Sequence, residues 1–134
     1  MLVELVFATA VALVVGGAVV TTTVRQSAHR AVNLETTLAT NAITDVFARV
    51  RAAPFADLPS LDGTGFDVPS HGGHPAGLTP LPGDPDGLPG RIEVVVDTSA
   101  GTAVLYRVTL RVDWIGAAGR RREVVVGLVG ERRS

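Results

Sequence analysis

The 134-residue chain has no cysteine and no lysine. The first absence removes disulfide frameworks, thiolate zinc centres and thiol nucleophiles together, so any exported head must be held by noncovalent packing. The second makes every base an arginine. Twelve bases against 13 acids leave a formal net charge of -1, so no overall field draws the chain to nucleic acid or anionic lipid. Charge is also missing locally: Leu5 to Val24 carries no charged residue. As a helix this run measures about 30 Å, the thickness of bilayer hydrocarbon. No basic residue precedes it, which predicts a retained single-pass helix rather than a cleaved signal. Arg25 and Arg30 would by themselves hold the following chain in the cytoplasm, unless a basic leader has been removed.

Beyond the run, Ala28, Ala31, Val32, Leu38, Ala39, Ala42, Ile43, Val46 and Val50 recur at three- and four-residue steps. Thr37, Thr40, Asn41, Thr44 and Arg51 fall on the other side, and Pro54 supplies the stop. One helix of about 50 residues, roughly 75 Å long, is the expectation. Glu35 lies within the apolar stripe, where it either reaches water or an arginine such as Arg30 or Arg49, or contacts another subunit.

All eight prolines fall between residues 54 and 90, and the segment lacks any sustained period. It reads as a long irregular connection, a surface for variation and recognition that could conceal short strands. After Arg91 the period becomes two, with Val104, Tyr106, Val108, Leu110, Val112 and Trp114 on one face. Valine-rich runs at Ile92 to Val96 and Glu123 to Val129 flank it, giving a three-stranded antiparallel meander.

Several constellations point to chemistry and fall short of it. His71 and His74 offer two nitrogens without a cysteine or clustered carboxylate to complete a metal site. Asp84 and Asp86 sit in Gly-Asp-Pro-Asp-Gly, which lacks the closing glutamate of a calcium loop, so turn formation is the reading. Arg120, Arg121, Arg122, Arg132 and Arg133 form a basic cluster suited to solvated hairpin ends or, in a weaker reading, to DNA phosphates. No nucleophile elbow or phosphate loop is present, so no enzymatic activity, metal or cofactor is expected.

A helix that is apolar first and amphipathic later, then a proline-rich connection and an antiparallel sheet, resembles the type IV pilin and pseudopilin class. Met1-Leu2-Val3-Glu4-Leu5-Val6 resembles the segment that follows the prepilin peptidase cut. The acid lies one position earlier than the family pattern, which fits a mature chain with one residue ahead of Met1. Arg51 to Leu58 and the strand Arg107 to Trp114 look like the helix exit and closing hairpin of minor pilins.

The resemblance implies an α+β pilin-like fold: one long N-terminal helix with a membrane-spanning first half, packed on a small antiparallel sheet. Its divisions would be 1–24 as span or filament core, 25–53 as amphipathic helix, 54–90 as loop and 91–134 as meander. It implies a structural subunit, a minor pilin or pseudopilin, of a type IV pilus or type II secretion filament. Glu4, Leu5, Phe7, Gly16 and Gly17 would make the assembly contacts. Val32, Leu38, Ile43, Val46, Val108, Leu110 and Trp114 would pack helix on head. The implied partners are other pilin or pseudopilin subunits, the prepilin peptidase, the assembly platform and, before assembly, the inner membrane, with the head extracytoplasmic. Two alternatives are the major pilin and a single-pass anchored binding protein that recognises a ligand through residues 54–90.

Overall fold

The computed structural model describes the backbone of residues 2–69, 77–97 and 104–131, and side chains from Arg25 onward. Helix α1 runs from Leu2 to Ala52. It closes where Pro54 removes a donor and forces the preceding residue out of helical geometry, with the Ala53 N–H capping back to the carbonyls of Arg49 and Val50. A 3-10 helix, Phe55–Leu61, follows directly.

Among the described residues five strands form one antiparallel sheet: β1 (Gly65–Phe66), β2 (Thr79–Pro80), β3 (Gly90–Asp97), β4 (Leu105–Gly116) and β5 (Gly119–Gly130). β4 is central. β3 pairs with it from Leu105 to Val112, β2 continues that side at Trp114 and Ile115, and β5 covers its whole other side. β1 pairs with β3. The pairing of β4 with β5 is one-to-one from Leu105↔Gly130 to Gly116↔Gly119, so inward and outward faces never exchange along the hairpin.

The core lies between α1 and one face of this sheet. From the helix come Leu38, Ala39, Ile43, Val46 and Val50, spaced to share one face; from the sheet come Ile92, Val108, Leu110, Val112 and Trp114. Burial of each large member contributes roughly 1.5–3 kcal/mol. Leu58, Val68 and Leu78 are buried in the same cluster, so the proline-rich connection is tied into the core at three points. Phe47 reaches the sheet because Gly127 leaves room: a side chain there would strike its ring. The Arg51 guanidinium lies over the Phe47 ring, 5.8 Å from its centre.

The expected fold needs correction. Among the described residues no helix is long and apolar enough to cross a membrane. The described part of α1 carries Arg25, Arg30, Glu35, Asp45, Arg49 and Arg51, an amphipathic pattern suited to one buried face and one wet face. The membrane-spanning reading of Leu5–Val24 falls on side chains outside the described ones. The sheet is five-stranded rather than a three-stranded meander, because Gly65–Phe66 and Thr79–Pro80 are recruited out of the connection as additional strands. Two-residue strands have no period to read, and Pro80 is tolerated because β2 is an edge. What the structure forms is a small α+β fold with a long helix, a 3-10 helix and a five-stranded sheet.

Replacing Gly127 with valine should force Phe47 out of its seat and lower unfolding stability by about 1–3 kcal/mol. Urea unfolding of the full chain in detergent measures this, and an unchanged midpoint would remove Gly127 from the account of helix packing.

Candidate functional site

Glu35 sits on the buried face of α1, only 7% exposed. Its carboxylate faces the tip of the β4–β5 hairpin: the Trp114 indole Nε1–H donates to Oε2 at 3.2 Å, and the Ala117 backbone N–H donates to Oε1 at 2.9 Å. A Cβ on Gly116 would overlap that carboxylate, so glycine is what admits it. Ala117 and Ala118 form the two-residue connection, with φ positive only at Gly119 (+88°). Two negative-φ residues followed by a positive-φ glycine is the pattern of a type I turn with a glycine bulge. Helix and hairpin are thus joined by an acid with both oxygens used, and Glu35 meets neither Arg30 nor Arg49 among its hydrogen bonds.

The opposite face of the helix is built differently. Thr37, Thr40 and Thr44 are exposed and Thr36 half-buried, and each hydroxyl donates to the carbonyl four residues earlier at 2.8–2.9 Å. With Asn33 and Asn41, both exposed, these form an uncharged ridge of short side chains. Because the hydroxyl donors are already satisfied within the helix, covering this ridge leaves none of them without an acceptor.

On the sheet face away from the helix, arginines alternate with carboxylates. Arg107 meets the buried Asp97 at 2.9 Å, and Asp113 holds Arg111 at 2.8 Å and Arg122 at 2.6 Å. Arg122 is therefore already matched, which weakens the cluster Arg120–Arg122 as a phosphate-binding element. Arg132 and Arg133 lie outside the described residues.

Asp84 and Asp86 build turns. Asp84 Oδ1 accepts from the Asp86 N–H, and Asp86 Oδ1 accepts from the Leu88 N–H at 3.1 Å, while Arg91 stands 3.3 Å from Asp86. The Asp86 carboxyl is held below its ordinary value, chiefly by its hydrogen bond with Asp84, then by the Leu88 amide, with Arg91 adding to the effect. Among the described residues no group of three or more potential ligands gathers to hold a metal. His71 and His74 lie outside them.

Leu38, Ile43, Val46, Val108, Leu110 and Trp114 are brought together in the core, and Val32 is half-buried at its edge. The side chains of Glu4, Leu5, Phe7, Gly16 and Gly17 lie outside the described residues. The partnership of Glu35 with Trp114 and Ala117 was not legible in the sequence. The only signal was an acid inside an apolar stripe together with a tryptophan that needs an acceptor when buried. Comparison with protein-family models, with curated proteins and with solved structures gives no match.

Glu35→Ala should leave the Trp114 and Ala117 donors without an acceptor and cost about 1.5–3 kcal/mol, with Glu35→Gln costing less because one oxygen remains. Trp114 is the single tryptophan, so its fluorescence during urea unfolding measures both variants, and equal losses would refute the acceptor role. For Asp86, a depressed folded value means that its contribution is present above the ordinary carboxylate range and is lost as pH falls through the depressed value. The Leu88 amide resonance should titrate with a midpoint below the ordinary carboxylate value and stop titrating in Asp86→Asn. A midpoint at or above that value contradicts the turn geometry.

Proposed function

We propose that the chain is a structural subunit of a type IV pilus or type II secretion filament, a minor pilin or pseudopilin, assembling through its N-terminal helix. The observation that carries this reading is the mismatch between helix and head. The backbone of α1 is continuous from Leu2 to Ala52, yet the described core draws on it only from Leu38 to Val50, and every side chain from Arg25 to Arg30 is exposed. A helix about 75 Å long is far more than a sheet of this size needs as backing. The uncharged threonine ridge gives further support, since it is a helix face that another helix can cover at low cost in lost hydrogen bonds.

In this reading the apolar residues Leu5 to Val24 are covered by the same residues of neighbouring subunits. Burial drives assembly. Glu4 then needs a cationic partner in that apolar setting, and the free amine of the first residue of an adjacent subunit supplies one. The pairing fixes the axial stagger between subunits. Gly16 and Gly17 allow helices to approach closely. The prepilin peptidase and an assembly platform are the partners implied upstream.

Glu4→Ala should remain in the cell-envelope fraction but be depleted from sheared filaments at least about tenfold, as expected for an acid whose loss costs more than 1.4 kcal/mol of pairing. Quantitative immunoblotting of the two fractions measures it, and wild-type incorporation of the variant would overturn the assembly role. The abundance of the chain in sheared filaments separates minor from major subunit.

A further inference from the structure

β5 is a free edge. It pairs with β4 along all 12 of its residues, and among the described residues no strand pairs with its other side. Edge strands are ordinarily guarded by proline, by lysine, by a bulge or by shortness. Beyond Glu123, β5 has none of these: the glycine bulge and the charges lie at its first five residues, and Val124 to Gly130 is regular and uncharged. Every second residue therefore turns its N–H and C=O toward solvent beside an apolar row, Val124, Val126 and Leu128, which are 42%, 57% and 59% exposed.

The geometry points to a second copy of this chain as the occupant of that edge, joined antiparallel across a twofold axis at Val126. Charge and shape select both the partner and the register. Centred at Val126, Val126 faces Val126 of the second copy and Val124 faces Leu128 twice on the outer side of the sheet. On the helix side, Arg121 faces Glu131 twice. Among the described residues Arg121, Glu123 and Glu131 make no ion pair, so both ends are available. Moving the axis to Val125 sets Arg121 against Val129 and loses both pairs. Moving it to Gly127 sets Glu123 against Glu131, like charges directly opposed. The pairing ends at Arg121 and Glu131, because the next step outward would set Arg120 against Arg132. A twofold contact of this kind is isologous and closes on itself, so it links heads in pairs and is independent of the filament reading above.

The absence of native cysteine makes the test direct. Directly opposed residues of an antiparallel pair have Cα atoms about 4.5 or 5.5 Å apart, both within disulfide range. In the full chain purified in detergent, Val126→Cys should oxidise to a covalent dimer. A mixture of Val124→Cys with Leu128→Cys should give a mixed dimer in excess of either homodimer. Val95→Cys, exposed on the same outer face but on β3, should stay monomeric. Glu131→Arg should weaken the dimer on the order of tenfold in sedimentation equilibrium, and Arg121→Glu combined with Glu131→Arg should restore it. Far-ultraviolet circular dichroism confirms that each variant is folded. Cross-linking at Val95 equal to that at Val126, a Val124 homodimer equal to the mixed dimer, or failure of the double reversal to recover association would each overturn the inference.

Discussion

Burying the Glu35 carboxylate against the sheet is the constraint on which the head depends. An acid with so little access to water must have its oxygens met by donors, and the two it finds come from one short stretch of chain, the Trp114 ring and the Ala117 amide. Several otherwise separate facts follow. Position 116 has to be glycine, the hairpin has to turn within two residues, and Trp114 has to lie with its nitrogen edge toward the helix. A slip of one residue in β4 would carry Trp114 to the outer face and strand the acid, so the contact also selects strand register. The helix is held to the sheet by apolar packing from Leu38 to Val50, but its position along the strands is set at the Glu35 end.

The two periods of the sequence were readable because each reports a local property. Leu38, Ala39, Ile43, Val46 and Val50 line one side of a helix regardless of what covers them, and Val108, Leu110, Val112 and Trp114 alternate because strands alternate. What could not be read depends on distant partners. Glu35 offered solvent, an arginine or another subunit as candidates, the first two ahead of the third, since nothing local to α1 indicates a tryptophan 79 residues away. The strands Gly65–Phe66 and Thr79–Pro80 exist only because β3 and β4 offer free edges at those places. The same holds for Leu58, Val68 and Leu78, isolated apolar residues in a proline-rich stretch whose burial is decided by the core they meet.

The absence of lysine has a counterpart in the sheet. Arginine presents a planar fork, and on the outer face Arg107, Arg111 and Arg122 are each set against a carboxylate, with Asp113 serving two of them. Such pairs in water contribute about 0.2–1 kcal/mol each, so they order the face more than they stabilise it. They also divide it. The charges gather on β3, β4 and the first residues of β5, and the remainder of β5 is left with branched apolar side chains and glycine.

The threonine ridge on α1 carries a consequence for any neighbour that lies on it. Thr36, Thr40 and Thr44 repeat every four residues, each hydroxyl turned inward to the carbonyl one turn before. A helix resting there and displaced by four residues, about 6 Å, meets the same atoms again. The ridge can therefore provide adhesion but is degenerate in position: it behaves as a track whose settings one repeat apart offer the same contacts. Any fixed arrangement of neighbours along α1 has to take its stops from elsewhere, from charges or from shape at the ends of the track.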